Sequence, residues 1–170
     1  MKRRIIVSAP SSILRDEKPL LARTISSAFY LSHGIRRNVT LAIHLGDRGY
    51  LVTFLGEKLR HVHVDERSLL GLIKKIEVAV ERGVKKSRLH DGVFLERTST
   101  FEERVDYVVV RNGSPLETAL RGFPETLTVL IPHKLALTVG APSITITALP
   151  KPVDVTIAIL NIKLDRLCGQ

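Results

Sequence analysis

Two hydrophobic periods take turns along this chain, one near 3.6 residues and one near 2, and a chain that alternates them must stack helices on a sheet. Arg3 to Ala9 alternates and stops at Pro10-Ser11-Ser12, a strand followed by a turn. From Pro19 the apolar residues Leu21, Ile25 and Phe29 recur every four positions, with Pro19 suited to a first helical turn and Gly34 to a stop. The β-branched runs Asn38 to Leu45 and Tyr50 to Leu55 flank Gly46-Asp47-Arg48-Gly49, which predicts a hairpin. Asp65 can cap a second helix whose stripe is Leu69, Ile73, Ile76 and Val80 and whose end is Gly83. Lys85 to Arg88 reads as a basic loop, and Gly92 to Thr98, Tyr107 to Arg111 and Thr126 to Ile131 as strands. Asn112 to Pro115 reads as a turn, with a short helix from Leu116 to Arg121. Ser143 to Ala148 is strand-like. Val153 to Leu164 reads two ways: Val153, Val155, Ile157 and Ile159 alternate as in a strand, while Ile157, Leu160 and Leu164 make a helical stripe. The expected architecture is one α/β domain over residues 1–170, a mainly parallel sheet with helices on both faces.

Composition narrows the function classes. A chain of 170 residues is long enough for one buried core and short for two. Cys168 is the single cysteine, so no intrachain disulfide can form and a structural thiolate zinc site is not expected. No apolar run reaches 18 residues, and the stretch behind Met1-Lys2-Arg3-Arg4 reads as a strand instead of a signal segment, so no membrane partner and a cytoplasmic location are expected. His61 and His63 alternate on one face without further ligands, so no metal is expected. No Ser/His/Asp or phosphate-loop pattern is present. Lysine and arginine number 26 against 17 acidic residues, a net charge of +9 that draws a small domain to polyphosphate or to anionic lipid. The arginines gather at glycines and turns instead of lining an amphipathic helix, which favours RNA over a membrane surface. Aromatic residues at 5% argue against single-strand stacking platforms of the cold-shock type.

The densest segment is Ser26-Ser27-Ala28-Phe29-Tyr30-Leu31-Ser32-His33-Gly34-Ile35-Arg36-Arg37-Asn38-Val39, a helix end followed by paired guanidinium forks of the shape that grips phosphate. Paired arginines in a turn are by themselves more often solvated surface, and His33 more often a cap. The segment resembles the archaeal tRNA pseudouridine(54) N1-methyltransferase family of the SPOUT superfamily, which has the same aromatic-Leu-Ser-His-x-Ile-Arg-Arg run. The resemblance continues through Phe54-Leu55-Gly56-Glu57, Val64-Asp65-Glu66-Arg67 and Ile73-Lys74-Lys75, resumes at Asp91-Gly92-Val93 and at Tyr107 to Gly113, and ends with Ser143 to Asp165.

This resemblance implies a deep C-terminal trefoil knot, a homodimer, tRNA as substrate and S-adenosylmethionine (SAM) as methyl donor. It implies a helix from Val153 to Leu167. It places the cofactor against Val109, Pro132, Ile146, Thr147, Ala148, Leu149, Pro150, Lys151 and Thr156. The chain departs from the family at Leu130-Ile131-Pro132-His133-Lys134, where a Gly-Asp-His-x-Gly loop is usual, and Pro132 fixes φ and removes a donor where glycine would stand. Arg36 is the candidate for gripping the uracil or its phosphate, Arg37 for the flanking backbone, and Asp91 for accepting the N1 proton. A dimer is expected to bury the stripe Ile157, Leu160 and Leu164 together with the helix from Pro19 to His33. Beside methylation of tRNA stand two other readings: the same chemistry on ribosomal RNA, and an RNA-binding protein that has lost the cofactor.

Overall fold

In the computed structural model, which describes residues 1–60 and 65–169, the chain opens with strand β1 (Lys2–Ala9). A single turn, α1 (Ile13–Asp16), follows Pro10 and leads into α2 (Lys18–Phe29), with Pro19 in its first turn. A two-residue ribbon, β2 (Tyr30–Leu31) against β3 (Gly34–Ile35), ends that helix earlier than the apolar period suggests. β4 (Val39–Leu45) and β5 (Tyr50–Leu55) form the expected hairpin, with Gly49 in the left-handed region at φ 65°. Asp65 caps α3 (Glu66–Glu81) as expected: its carboxylate accepts from the Ser68 N–H at 2.8 Å. The basic segment read as a loop is instead β6 (Lys86–His90), hairpinned to β7 (Val93–Arg97). β8 (Tyr107–Pro115) runs through the stretch read as a turn, and a single turn, α4 (Leu116–Ala119), follows. β9 (Thr126–Pro132), β10 (Ser143–Thr145) and α5 (Val153–Leu167) complete the chain. His61, Val64 and His63 lie outside the described residues.

Eight strands join in the order β10-β8-β9-β1-β4-β5-β7-β6. The five from β10 to β4 are parallel, while β5, β7 and β6 extend the sheet antiparallel. Strict alternation sorts the side chains. Ile5, Val7, Leu41, Ile43, Leu127, Val129, Val52 and Phe54 all face the layer built by α2, α3 and α5. The opposite face carries Ile6, Ala42 and Leu130, and loops cover it in place of the helix layer expected there. Phe101 and Val105 come from between β7 and β8, and Leu137 and Val139 from between β9 and β10. Arg4 pins this cover through a paired contact with Glu103. Those loops hold isolated apolar residues without a 3.6-residue stripe, so they roof the sheet without forming helices.

The C-terminal segment is a helix, and its stripe settles a second expectation. Ile157, Leu160 and Leu164 are 0%, 0% and 1% exposed, packed into this chain's own core, so they cannot form a contact with a second copy. Val155 and Ile162 are the exposed apolar residues of that helix. Among the described residues no helix is long and apolar enough to cross a membrane.

Candidate active site

Where the parallel strands end, β8 leaves its ladder. Ser143 pairs with Val108, yet the next residue, Ile144, pairs with Ser114, so Val109 to Gly113 bow out of the sheet. Gly113 permits this, because a Cβ there would stand 2.4 Å from the Ile144 backbone. Beside the bow lies a cavity of about 150 Å³. Its walls are Val109 from β8, Pro132 from the end of β9, Ile146, Thr147, Pro150 and Lys151 from the loop after β10, and Thr156 from α5. Residues far apart in sequence thus meet at one place. Ala148 and Leu149 do not line it, and Leu149 is 65% exposed. Val110 and Arg111, carried there by the bow of β8, and Ile131 and Thr145, at the ends of β9 and β10, complete the wall.

The loop is internally tied. The Thr145 hydroxyl donates to the Thr147 carbonyl at 2.9 Å, Thr147 to Leu149 at 2.6 Å, and Thr156 to Pro152 at 3.0 Å. With those hydroxyls engaged, the cavity offers apolar walls, peptide groups and the cations Lys151 and Arg111. Such a set suits a planar heteroaromatic ring near an anionic group. Its volume is below the roughly 300–1,000 Å³ of a site that encloses a whole drug-sized ligand. Pro132 sits at the strand terminus, where the following residue, His133, donates its N–H to Ser8 at 2.7 Å. Next to it the His133 ring lies 3.1 Å from Glu17, and the Lys134 ammonium donates to Glu17 at 2.8 Å. Lys134 adopts φ 56°, a conformation usually left to glycine. The Lys134 hydrogen bond holds the Glu17 carboxyl below its usual range, with burial opposing and His133 assisting. The His133-Lys134 segment is therefore pinned to the junction of α1 and α2.

The paired arginines have different fates. Arg36 is half-buried, and its guanidinium meets Asp165 of α5 at 2.7 and 2.9 Å. Arg3, whose side chain is 1% exposed, meets the same carboxylate at 2.6 Å and the Asn161 side chain at 3.0 Å. Asn161 in turn donates to Ser27 and Ala28 at the end of α2. Two guanidinium groups thus share one carboxylate, and each Nε is buried without a partner among the described residues. Arg37 is exposed and donates only to the Glu57 carbonyl, at 3.3 Å. Beside them, burial and then the Asp65 charge push the Tyr30 phenol up to about 12, which keeps it protonated at neutral pH.

Within one chain these pieces stand apart. Thr156 borders the cavity and Asp165 holds Arg36 nine positions later, about 14 Å along the helix axis. Asp91 pairs with Arg88 at 3.7 Å on the β6–β7 turn. Its strand pair is five ladder spacings from β8, about 24 Å across the sheet. The structure gathers Val109, Pro132, Ile146, Thr147, Pro150, Lys151 and Thr156 around one cavity, leaves Ala148 and Leu149 outside it, and places Arg36, Arg37 and Asp91 elsewhere. Among the described residues no group of three or more His, Cys, Asp or Glu side chains could hold a metal ion.

Comparison with known proteins agrees with this architecture. A family described as "Putative SAM-dependent RNA methyltransferase" matches residues 17–114. A tRNA (pseudouridine(54)-N(1))-methyltransferase of Methanococcus maripaludis is 31% identical over 172 residues, covering 87% of this chain and 84% of that protein. The namesake from Haloarcula marismortui is 37% identical over 108 residues, 64% of this chain and 43% of that protein. The latter match and that to the Haloferax volcanii namesake span less than half of those relatives, 43% and 28%. The crystal structure of Archaeoglobus fulgidus Nep1 bound to S-adenosylhomocysteine superposes with a TM-score of 0.62 over 100% of both chains at 10% identity, a likeness of fold. With a SPOUT-type fold, a family match over more than half its length and a relative matched nearly end to end, this chain belongs to the tRNA pseudouridine(54) N1-methyltransferase family.

Proposed function

We propose that the chain methylates N1 of pseudouridine at position 54 of the tRNA T-loop, with SAM as donor, in the cytoplasm. One observation carries the reading: seven of the nine cofactor positions expected from the family resemblance, scattered from Val109 to Thr156, wall a single cavity at the ends of the parallel strands. Open sheets of this type bind ligands outside the carboxyl ends of their strands. Val109, Ile131, Ile146 and Pro150 would bracket the adenine ring, the peptide groups of the 145–150 loop would read its edge, and Lys151 or Arg111 would face the carboxylate. The cavity is sized for the base, so the remainder of the donor would lie across its mouth. Bound there, SAM supplies an electrophilic methyl group. The imide-like N1 needs only to be held in line and to shed its proton, so positioning accounts for most of the rate.

The positioning groups, Arg36 and Arg37, sit at the other end of the sheet. A homodimer resolves this, because a second copy can bring its own Arg36-Arg37 segment to the first copy's cavity. The bow of Val109 to Gly113 around Ile144 supports a deep trefoil knot; a crystallographic backbone that straightens when its ends are pulled would refute it. Pro132 and the small cavity favour one other reading, an RNA-binding protein without cofactor. Calorimetry with SAM, followed by nucleoside analysis of T-loop RNA after incubation, separates the two. Binding with N1-methylpseudouridine formed at position 54 is expected, whereas RNA binding without measurable SAM binding would establish the second reading.

A further inference from the structure

Two open clefts meet at the end of the sheet that carries Arg37. One, of about 610 Å³, is walled by Lys2, Arg37, Asn38 and Glu125. The other, of about 500 Å³, is walled by Asp106, Tyr107, Arg121 and Leu127. Phe123 and Pro124 wall both, so the two form one groove with Phe123 as its dividing ridge. Phe123 is 59% exposed, and among the described phenylalanines and tyrosines it is the one that stands in solvent. A single exposed apolar residue needs no explanation by itself. Its setting does. Pro124 fixes its own φ and confines the preceding Phe123 to extended backbone, after a turn that Gly122 makes at φ 87°, so the direction of the ring is set from one side. Cations flank it on both sides, Arg121 in one cleft and Lys2 and Arg37 in the other. Of the two carboxylates in the groove, Asp106 is engaged by the Thr128 N–H at 2.8 Å and faces Arg104 at 3.8 Å, which leaves Glu125.

An aromatic face between spaced cations is the arrangement that takes an unpaired nucleobase with a phosphate to each side. We infer that Phe123 is a stacking platform for an unpaired base of the bound RNA, with Arg121 on one side and Lys2 and Arg37 on the other receiving the flanking phosphates. This rests on the tRNA reading above and adds a contact surface to it. It requires no aromatic-rich sheet, since one ring serves one base.

The test uses the full chain and a T-loop stem–loop RNA, with affinity read by anisotropy and oligomeric state by light scattering. Phe123→Ala and Phe123→Leu should each weaken RNA binding about tenfold, because both lose the π-face. Phe123→Trp should keep parent affinity. The chain has no other tryptophan, so its emission should be quenched when RNA is added. Equal affinity of the parent and Phe123→Ala overturns the inference, and so does full affinity of Phe123→Leu, which would make the contact merely apolar. A lower mass for Phe123→Ala in light scattering overturns it as well, by making a second copy the occupant. A parent without RNA affinity sinks the tRNA reading along with this one; a parent that binds while Phe123→Ala binds equally sinks this one alone.

Discussion

Asp165 answers two guanidinium groups with one carboxylate, and that ratio decides what its removal does. Arg3 is almost fully buried and Arg36 mostly so, and both guanidinium groups are answered by this one carboxylate. Breaking such a pair leaves uncompensated buried charge, so Asp165→Ala should destabilise the fold by about 3–5 kcal/mol, measured by urea denaturation. Arg37→Ala, at an exposed position, should stay within about 0.5 kcal/mol. A loss below 1 kcal/mol for Asp165→Ala would mean that water reaches the network. The sequence makes the Arg36-Arg37 pair visible, but not that one fork is tied inward and the other lies exposed against the Glu57 carbonyl, because the tie comes from α5 at the far end of the chain. His44 gives a second residue-scale prediction. It is 6% exposed, with its ring edge-on to Phe101 at 5.1 Å, and burial lowers its pKa from 6.5 while the Glu103 charge partly opposes. The unfolded chain therefore takes up this proton before the folded one does. Stability should be full above pH 6.5 and fall as pH drops from there toward the lowered folded value, and His44→Gln should flatten that decline in thermal melts between pH 7.5 and 5.5. An equally steep decline in the variant would assign it to other groups.

The elements legible in the sequence were those whose two faces differ. The hairpin of β4 and β5 and the Asp65-capped α3 declare themselves by alternation and by a cap, and both form as expected. α5 is ambiguous because β-branched residues satisfy either period; burial chooses the helix, since Val153, Ile157, Leu160 and Leu164 face the core while Val155 and Ile162 do not. β6 was hidden by its lysine and arginine, which suit a strand at the edge of a sheet as well as a loop. β8 passes through Asn112 to Pro115, a sequence that looks like a turn because it bends without reversing. That bend shapes the cavity, and Gly113 is its point of least tolerance. Gly113→Ala puts a methyl group into the backbone of Ile144, which cannot swing aside as a side-chain tip could. The expected loss is about 1–3 kcal/mol of stability, with SAM affinity in calorimetry falling by more than global stability explains. Unchanged SAM affinity in a folded Gly113→Ala variant would separate the bow from the cofactor site.

At the scale of the whole molecule, the parallel strands have two ends with different equipment. The cavity lies at their carboxyl ends, and the groove of Lys2, Arg37, Arg121 and Phe123 lies at their amino ends. No reading of the chain as a string could measure that separation, because the motifs carry no strand direction with them. If one copy supplied both parts of a methylation site, the segment that Asp165 holds through Arg36 and the cavity bordered by Thr156 would have to close a gap of about 14 Å along a packed helix. A second copy removes the difficulty, and a mixing experiment decides. Val109→Phe fills the cavity and Arg37→Glu reverses the charge proposed to meet RNA, and each variant alone should be inactive. Random exchange of subunits makes about half of the dimers mixed, and each mixed dimer holds one intact cavity facing one intact arginine segment. The mixture should therefore recover about a quarter of parent methylation of T-loop RNA. If each site were built within one chain, every site in every mixed dimer would carry one defect and mixing would recover nothing. The recovered fraction is thus a direct count of how many copies build one site.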